Sequence, residues 1–185
     1  MLTGYRLDMA DTPPHTPTVL LAQSEIDRIN AELARKIAPL IDDETVAAVL
    51  LTGGLWFGSD LTRALYREGR NVKFDAVWMS SYGDEKQSRG KVTVRAPFQR
   101  SMEGKTVLLI DDVLDSGLSL AEAVRITKEA GAARVLTCVF ARKPCDHDRM
   151  EPDFVGWEAP ARFLVGYGLD HQGGMRGLPD ICALD

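Results

Sequence analysis

The segment VLLIDDVLDSGLSL, residues 107–120, decides the fold of this chain. Its first four residues belong to a β-rich run, predicted as a strand over 105–110, and two adjacent acids, Asp111 and Asp112, follow it. A polar turn with Gly117 then leads into LSLAEAVRITKEAGA, whose apolar residues have helical spacing and which Gly131 closes. A strand that turns through polar residues directly into a helix is typical of a βαβ unit.

The same order of elements recurs on both sides of this signature segment (residues 107–120). Upstream, the apolar run VAAVLL (46–51) leads through two glycines into helical spacing over 56–68, and downstream ARVLTCVFA (133–141) reads as another strand. Strands that alternate with helices of this length form right-handed βαβ crossovers. We therefore predict an α/β fold, with a mostly parallel twisted sheet and helices on both faces, in one domain over residues 1–185.

The parts that flank this pattern are less regular. Residues 1–19 include the stretch DTPPHTPT and are predicted as an irregular arm, followed by a core over about 20–143. The core opens with an amphipathic helix, where Ser24 and Asp27 form a pattern like a capping box. In residues 144–185, the pieces DFVGW, RFLVGYGLD and ICAL are predicted to form a small hood rather than another crossover.

The composition excludes several classes of protein. Lys and Arg number 22 against 27 Asp and Glu, and the resulting net charge of −5 argues against a nucleic-acid binder that relies on a basic surface. No apolar run approaches the roughly 20 residues that span a bilayer, so no membrane association is expected. Three cysteines without a repeated spacing argue against a disulfide framework. They favour a reducing compartment, and we expect a cytoplasmic protein.

The signature segment can bind two chemically different groups. The backbone N–H groups of residues 116–119 lie at a predicted helix start, where the helix dipole favours a phosphate. Asp111 and Asp112 can receive sugar hydroxyls or a hydrated Mg²⁺. The alternative is a polar loop whose serines only cap the helix.

The signature segment resembles the phosphoribosyl diphosphate (PRPP) signature of type I phosphoribosyltransferases. Three further segments narrow the resemblance to the hypoxanthine-guanine group of that family. The group's pyrophosphate loop and following helix resemble LLTGGLWFGSDLTRAL (50–65), and its mobile catalytic loop resembles SSYG (80–83). Its purine-binding hood resembles DFVGWEAPARFLVGYGLDHQGGMRGLP (153–179). The resemblance runs from Leu20 to Leu184 and implies the type I phosphoribosyltransferase fold with a small hood.

The resemblance implies a role for each part of the signature segment. Asp115 would take or share the N7 proton of a purine while N9 attacks the anomeric carbon, a task that suits a carboxylate. Asp111 and Asp112 would hold the ribose hydroxyls, with Asp111 in the place of a glutamate. The full set implied for ribose and 5′-phosphate is Asp111, Asp112, Asp115, Ser116, Gly117, Leu118 and Ser119.

The resemblance also implies a purine site. Lys143 would donate to O6 of a 6-oxopurine, and it would reject adenine because lysine has no acceptor. A solvated lysine at a strand end is the alternative. Phe163 would stack on the purine, and the backbone of Leu164 would read its edge. Asp170 would lie near the base edge and bind Mg²⁺ through waters, together with Asp111 and Asp112.

The leaving pyrophosphate would be bound by Thr52, Gly53, Gly54 and Arg176. Thr52 stands where many relatives carry lysine, so one charge-assisted hydrogen bond is missing. In the family the backbone N–H groups of this loop are often presented through a cis peptide bond, which the two glycines permit, so the resemblance implies a cis bond between Leu51 and Thr52. Arg176 is implied to be catalytic as well, with a surface arginine as the alternative.

A polar loop over about 81–90 would close over the reaction centre, with Ser81 and Tyr82 as catalytic residues. Closure would protect an oxocarbenium-like transition state from water.

Together the motifs predict a purine-salvage enzyme. It would use Mg²⁺ to transfer the 5-phosphoribosyl group from PRPP to N9 of hypoxanthine or guanine, giving IMP or GMP and pyrophosphate. A homodimer or homotetramer is expected from the family. Two alternatives remain, which are a base preference shifted toward xanthine and a non-catalytic regulator that senses PRPP or nucleotides. Thr52 favours the regulator, whereas the retained Asp115 favours the enzyme.

Overall fold

The computed structural model of the chain describes residues 17–81 and 92–184, in which nine strands and three α-helices are present. The strands are β1 (Thr18–Leu21), β2 (Val46–Leu51), β3 (Lys73–Ser81), β4 (Val92–Ala96), β5 (Thr106–Leu114), β6 (Arg134–Arg142), β7 (Phe154–Glu158), β8 (Phe163–Val165) and β9 (Ile181–Leu184). The helices are α1 (Gln23–Ile37), α2 (Gly54–Arg67) and α3 (Leu118–Glu129), with a 3₁₀ turn at Ala38–Leu40. None of the helices in these ranges is long and apolar enough to cross a membrane.

Six strands form the central sheet, in the order β4-β3-β2-β5-β6-β7. The pairs β2–β3, β2–β5, β5–β6 and β6–β7 are parallel, whereas β4 is antiparallel to β3. The predicted α/β fold with a mostly parallel sheet is thus confirmed. The chain leaves β2 through α2 toward one edge of the sheet and leaves β5 through α3 toward the other. Such a switch point opens a crevice at the carboxyl ends of the two strands, where ligands bind in folds of this kind.

The sheet carries a core on each face because successive side chains of a strand point to opposite sides. In β2, Ala47 and Val49 pack in the core with α1 and α2, whereas Ala48 and Leu50 pack in the core with α3. All four side chains are at most 3% exposed. Strands that are covered on both faces hold their carboxyl ends rigidly, and the site described below is built on those ends.

A second, antiparallel sheet forms the hood, in the order β1-β9-β8. Thr18 and Val19 pair with Ala183 and Cys182. The irregular arm predicted for residues 1–19 is therefore wrong in its last two residues, since strand pairing with the end of the chain orders them. Residues 1–16 lie outside the described residues.

The segment DFVGW also differs from its prediction. It forms β7, which pairs in parallel with β6, with Cys138 opposite Phe154, and extends the central sheet at its edge. Asp153 fixes its start, because Asp153 Oδ2 accepts hydrogen bonds from the N–H and the hydroxyl of Thr137 at 2.8 Å. The β-like segment is thus a strand, but its predicted place in the hood is wrong, because the chain reaches the central sheet here without a crossover helix.

Helix α1 begins differently from the predicted capping box. Ala22 precedes the helix, and the N–H of Gln23 donates to Asp180 Oδ1 at 2.8 Å. The pairing of Ser24 with Asp27 is therefore wrong, because a carboxylate from the hood caps the helix instead. This contact joins α1 to the hood.

Candidate active site

The signature segment holds its acids in the sheet itself. β5 continues to Leu114 instead of ending before Asp111, because β6 pairs with it as far as Leu114. Its pairing with β2 stops at Ile110, so one edge of β5 is open beyond that residue. The opening is a cavity of about 320 Å³. Its lining consists of Leu50, Leu51, Thr52, Gly53, Met79, Asp111, Asp112, Val113, Leu114, Asp115, Ser116, Gly117, Ser119 and Leu120.

Burial raises the pKa of both carboxyls of the acid pair (Asp111 and Asp112), and repulsion adds to the rise at Asp111. Burial, followed by the charge of Asp112, raises the pKa of Asp111 well above its ordinary value. Burial also raises the pKa of Asp112, although its hydrogen bonds and the positive charge of Arg176 counteract part of the rise. Asp111 Oδ1 accepts a hydrogen bond from the backbone N–H of Asp112 at 3.0 Å. Two adjacent carboxylates in this state form a site that hydroxyl donors or a cation would stabilise.

The turn between β5 and α3 presents backbone N–H groups to the same cavity. Gly117 has a φ of +77°, a left-handed conformation that glycine adopts readily. As the residue before α3 it has no side chain that could accept from the first N–H groups, and the N–H of Leu118 makes only a long contact of 3.5 Å with Ser116 Oγ. A helix start with such N–H groups suits a phosphate.

The predicted pyrophosphate loop (residues 51–54) forms the opposite wall. The peptide bond between Leu51 and Thr52 is cis, as predicted. Helix α2 begins directly after it, at Gly54. Gly53 lies against the acid pair, because a Cβ atom at Gly53 would stand 1.7 Å from Asp112 Oδ2. A side chain at this position would displace the carboxylate of Asp112, and glycine allows the close contact.

The hood brings Asp170 and Arg176 toward the acid pair. Arg176 Nη2 lies 2.6 Å from Asp170 Oδ1, its Nη1 donates to the carbonyl oxygen of Gly168, and its charge lowers the pKa of Asp112. Gly168 in turn touches the pyrophosphate loop, since a Cβ atom there would stand 2.2 Å from the carbonyl oxygen of Gly53. The side chain of Arg176 is 24% exposed, which with its ion pair argues against a solvated surface arginine.

The residues predicted for the purine lie on neighbouring elements. Phe163 opens β8, is 51% exposed and meets the ring of His171 edge-on, with the ring centroids 5.7 Å apart. The side chain of Leu164 is buried, so a ligand could reach only its backbone. Lys143 follows β6, and its backbone N–H donates to the carbonyl oxygen of Leu114 at 3.0 Å.

The structure thus brings part of the predicted set into one cavity. The predicted residues that line this cavity are Asp111, Asp112, Asp115, Ser116, Gly117, Ser119, Thr52 and Gly53. Other predicted residues do not line it, namely Gly54, Leu118, Lys143, Phe163, Leu164, Asp170 and Arg176. Ser81 is the last residue of β3, and Tyr82 with the predicted loop to residue 90 lies outside the described residues.

Comparisons with known proteins show the family of the chain. The phosphoribosyl transferase domain model matches residues 20–172. The chain belongs to the phosphoribosyltransferase family. A hypoxanthine-guanine phosphoribosyltransferase from Dictyostelium discoideum is 33% identical over 164 residues, which cover 87% of this chain and 91% of that protein. One from Aquifex aeolicus is 36% identical over 166 residues, covering 88% and 92%.

The likeness to phosphoribosyltransferases extends to solved structures. A hypoxanthine phosphoribosyltransferase from Staphylococcus aureus superposes with a TM-score of 0.82 at 29% identity and covers 90% of each chain. One from Trypanosoma cruzi superposes with a TM-score of 0.85 at 29% identity and covers 91% of each chain. The predicted type I phosphoribosyltransferase fold and the resemblance to the hypoxanthine-guanine group are confirmed.

One residue beside this phosphoribosyltransferase site escaped prediction. Arg149 lies in a polar loop, yet its side chain is only 6% exposed. Its Nη2 donates to the carbonyl oxygen of Lys143 at 2.7 Å, and its Nη1 donates to that of Asp115. Arg149 therefore links the end of β6 to the turn before α3. Neither periodicity nor a motif signals it, because its partners are backbone oxygens, which carry no mark of residue type.

Proposed function

We propose that the chain transfers the 5-phosphoribosyl group from PRPP to N9 of hypoxanthine or guanine and releases pyrophosphate. The observation that carries the proposal is the single cavity in which the acid pair, the helix start at Gly117 and the glycine loop at Gly53 meet. Ribose hydroxyls need acceptors, and phosphates need N–H donors that a backbone can bring close. Relatives that match most of the chain are named for hypoxanthine and guanine, which supports this choice of base.

In this proposal PRPP lies along β5. Its 5′-phosphate accepts hydrogen bonds from the backbone at the start of α3, through residues 116–119. Its ribose hydroxyls donate to Asp111 and Asp112. Because burial and mutual charge raise the pKa of Asp111, a hydroxyl donor stabilises the ionised pair.

The acid pair also fits a divalent cation. Its donors are carboxylate oxygens, which Mg²⁺ prefers, and burial raises the pKa of both, with the charge of Asp112 adding to the rise at Asp111. Asp111, Asp112 and, through waters, Asp170 would hold Mg²⁺. The ion would supply positive charge against the developing charge of the pyrophosphate.

The leaving group occupies the pyrophosphate loop. The backbone of Thr52, Gly53 and Gly54 donates to the pyrophosphate, and Arg176 pairs with it. N9 bonds to the anomeric carbon while the bond from that carbon to the pyrophosphate oxygen breaks, and its electron pair leaves with the pyrophosphate. Asp115, exposed at the cavity rim, accepts the proton that the purine loses from N7.

The purine is bound between the hood and the end of β6. Phe163 stacks on its face, the Leu164 backbone contacts its edge, and Lys143 donates to O6. A 6-amino group offers no acceptor to Lys143, so adenine is a poor substrate. Ser81 and Tyr82 remain predicted to cover the reaction centre from the loop after β3.

We also propose a homo-oligomer in the cytoplasm. Phe74 and Trp78 lie on the same side of β3 and are 41% and 49% exposed, and large apolar side chains exposed on one strand favour association. Three cysteines without a repeated spacing favour a reducing compartment. Light scattering measures the assembly directly.

A panel of bases tests the proposed reaction. The protein is incubated with PRPP, Mg²⁺ and hypoxanthine, guanine, xanthine or adenine in separate reactions, and pyrophosphate release is followed. We expect turnover with hypoxanthine or guanine and little with adenine. A preference for xanthine would replace the base assignment. Tight PRPP or nucleotide binding without turnover on any base would overturn the enzyme in favour of a regulator.

A further inference from the structure

Tyr167 has no part in the reaction proposed above, yet its buried hydroxyl makes two hydrogen bonds. It accepts from Asn30 Nδ2 at 2.7 Å and donates to Asp60 Oδ2 at 3.1 Å. Asn30 lies on α1 and Asp60 on α2, so the hydroxyl joins both helices to the hood. Burial raises the pKa of Tyr167, which keeps the hydroxyl protonated and able to donate. We call these three residues the tyrosine anchor.

The anchor holds a backbone turn in an unusual conformation. Tyr167 has a φ of +47°, between Gly166 at +90° and Gly168 at +99°. The left-handed region is disfavoured for a residue with a side chain, so the surroundings must fix it. The ring packs edge-on against Phe140, with centroids 5.0 Å apart, and the hydroxyl bonds fix its far end.

The turn at residues 166–168 contacts the groups proposed to bind pyrophosphate, which are the pyrophosphate loop and Arg176. Gly168 lies against the carbonyl oxygen of Gly53, where a Cβ atom would come within 2.2 Å. Its N–H donates to the carbonyl oxygen of Arg176 at 3.0 Å, and its own carbonyl oxygen accepts from the Arg176 guanidinium. A shift of Tyr167 would therefore move both the pyrophosphate loop and Arg176.

The purine side is held by different contacts. Strand β8, which carries Phe163 and Leu164, pairs with β9 along its whole length. Lys143 is fixed through the carbonyl oxygen of Leu114 and through Arg149. The anchor therefore acts more directly on the groups proposed to bind pyrophosphate than on Phe163, Leu164 and Lys143.

We propose that Tyr167 is a positioning residue for the pyrophosphate side of the site, acting through Gly168 on Gly53 and Arg176. This inference rests on the proposed function. It assigns a role in PRPP affinity to Asn30 on α1 and Asp60 on α2. A purely structural tyrosine would instead lower stability and affect both substrates alike.

The test measures the KM values of Tyr167→Phe for PRPP, for pyrophosphate in the reverse reaction and for the base. The variant keeps the ring and loses both hydrogen bonds, one of them to a carboxylate. We expect KM for PRPP and for pyrophosphate to rise by about tenfold and KM for the base to change by less than about twofold. Asp60→Asn keeps an acceptor for the hydroxyl, so its rise should be smaller.

Two controls separate positioning from stability. Tyr66→Phe removes a hydroxyl from an exposed tyrosine of α2, and it should leave all KM values unchanged. Thr137→Val removes a buried hydroxyl hydrogen bond to a carboxylate in the middle of β6, and it should lower the unfolding temperature without changing the ratio of the two KM values.

Equal changes in KM for PRPP and for the base, or no change in either, would overturn the positioning role while the proposed reaction stands. A shift in the unfolding temperature of Tyr167→Phe with an unchanged KM ratio would do the same. Should the wild type turn over no base, the dissociation constant for PRPP from calorimetry replaces KM and the same tenfold rise is expected. Absence of PRPP binding to the wild type would overturn both proposals together.

Discussion

Gly53→Ala adds a single methyl group at the contact between the pyrophosphate loop and the acid pair. The added Cβ would stand 1.7 Å from Asp112 Oδ2 and 2.5 Å from its Cγ, whereas ordinary contact begins near 3.4 Å. The loop and the carboxylate must therefore separate by about 1.7 Å. Gly53 has φ −59° and ψ −45°, which alanine adopts without strain. The perturbation is thus a displacement of functional groups rather than a distortion of the backbone.

A misplacement of about 1 Å in an active site can cost about 100-fold in rate. We accordingly expect kcat/KM with PRPP to fall by about 100-fold or more, measured by pyrophosphate release. Replacing glycine at a compatible conformation stabilises a fold by about 0.4–1 kcal/mol, whereas the overlap with Asp112 costs about 1–3 kcal/mol, so the unfolding temperature should fall by no more than about 10 °C.

Gly177→Ala provides the matched control for this substitution. It is the same change in the hood, where an added Cβ meets nothing within 4 Å. Its kcat/KM should equal that of the wild type. If Gly53→Ala also retained kcat/KM within about twofold, the close approach of Gly53 to Asp112 would have no bearing on catalysis and the reasoning would be refuted.

Three further predictions follow from the acids and from Thr52. Asp111 has a raised pKa, so the folded state binds its proton more tightly than the unfolded chain, and stability falls as pH rises from about 3.8 through the raised pKa. In the absence of Mg²⁺ and PRPP, Asp111→Asn should therefore raise the unfolding temperature at neutral pH. The rise should be about 2–4 °C for each kcal/mol of unfavourable charge burial that the substitution removes. The gain should shrink as pH falls, and a gain independent of pH would contradict this. Thr52→Lys should restore a charge-assisted hydrogen bond and lower KM for PRPP by about tenfold, and an unchanged KM would mean that the loop acts through its backbone alone. Asp115→Asn should lower kcat by about 10²–10⁴ with little change in nucleotide affinity, whereas small and equal losses in both would remove Asp115 from the role of base.

Much of the fold was predictable because its signals are local. The βαβ units around β2 and β5 follow from apolar runs, glycines and helical spacing within about 30 residues each. The acid pair follows from a motif of consecutive residues, whereas the cis bond at Leu51 follows from the resemblance of its loop to the family. By contrast, the sequence predicts a place in the hood for β7, because the chain reaches its partner strand without a helix. It also predicts the wrong cap for α1, because the capping residue Asp180 comes from the other end of the chain.

The sequence by itself determined the α/β class, the signature segment and the resemblance to a purine phosphoribosyltransferase, since each depends on residues that are close together in the chain. Only the tertiary structure decided which groups share a cavity and what holds them there. The contact of Gly53 with Asp112, the reach of Arg149 to the carbonyl of Asp115 and the bonds of Tyr167 to α1 and α2 join residues dozens of positions apart or more. Such contacts depend on how the strands and helices pack, and no periodicity along the chain records them.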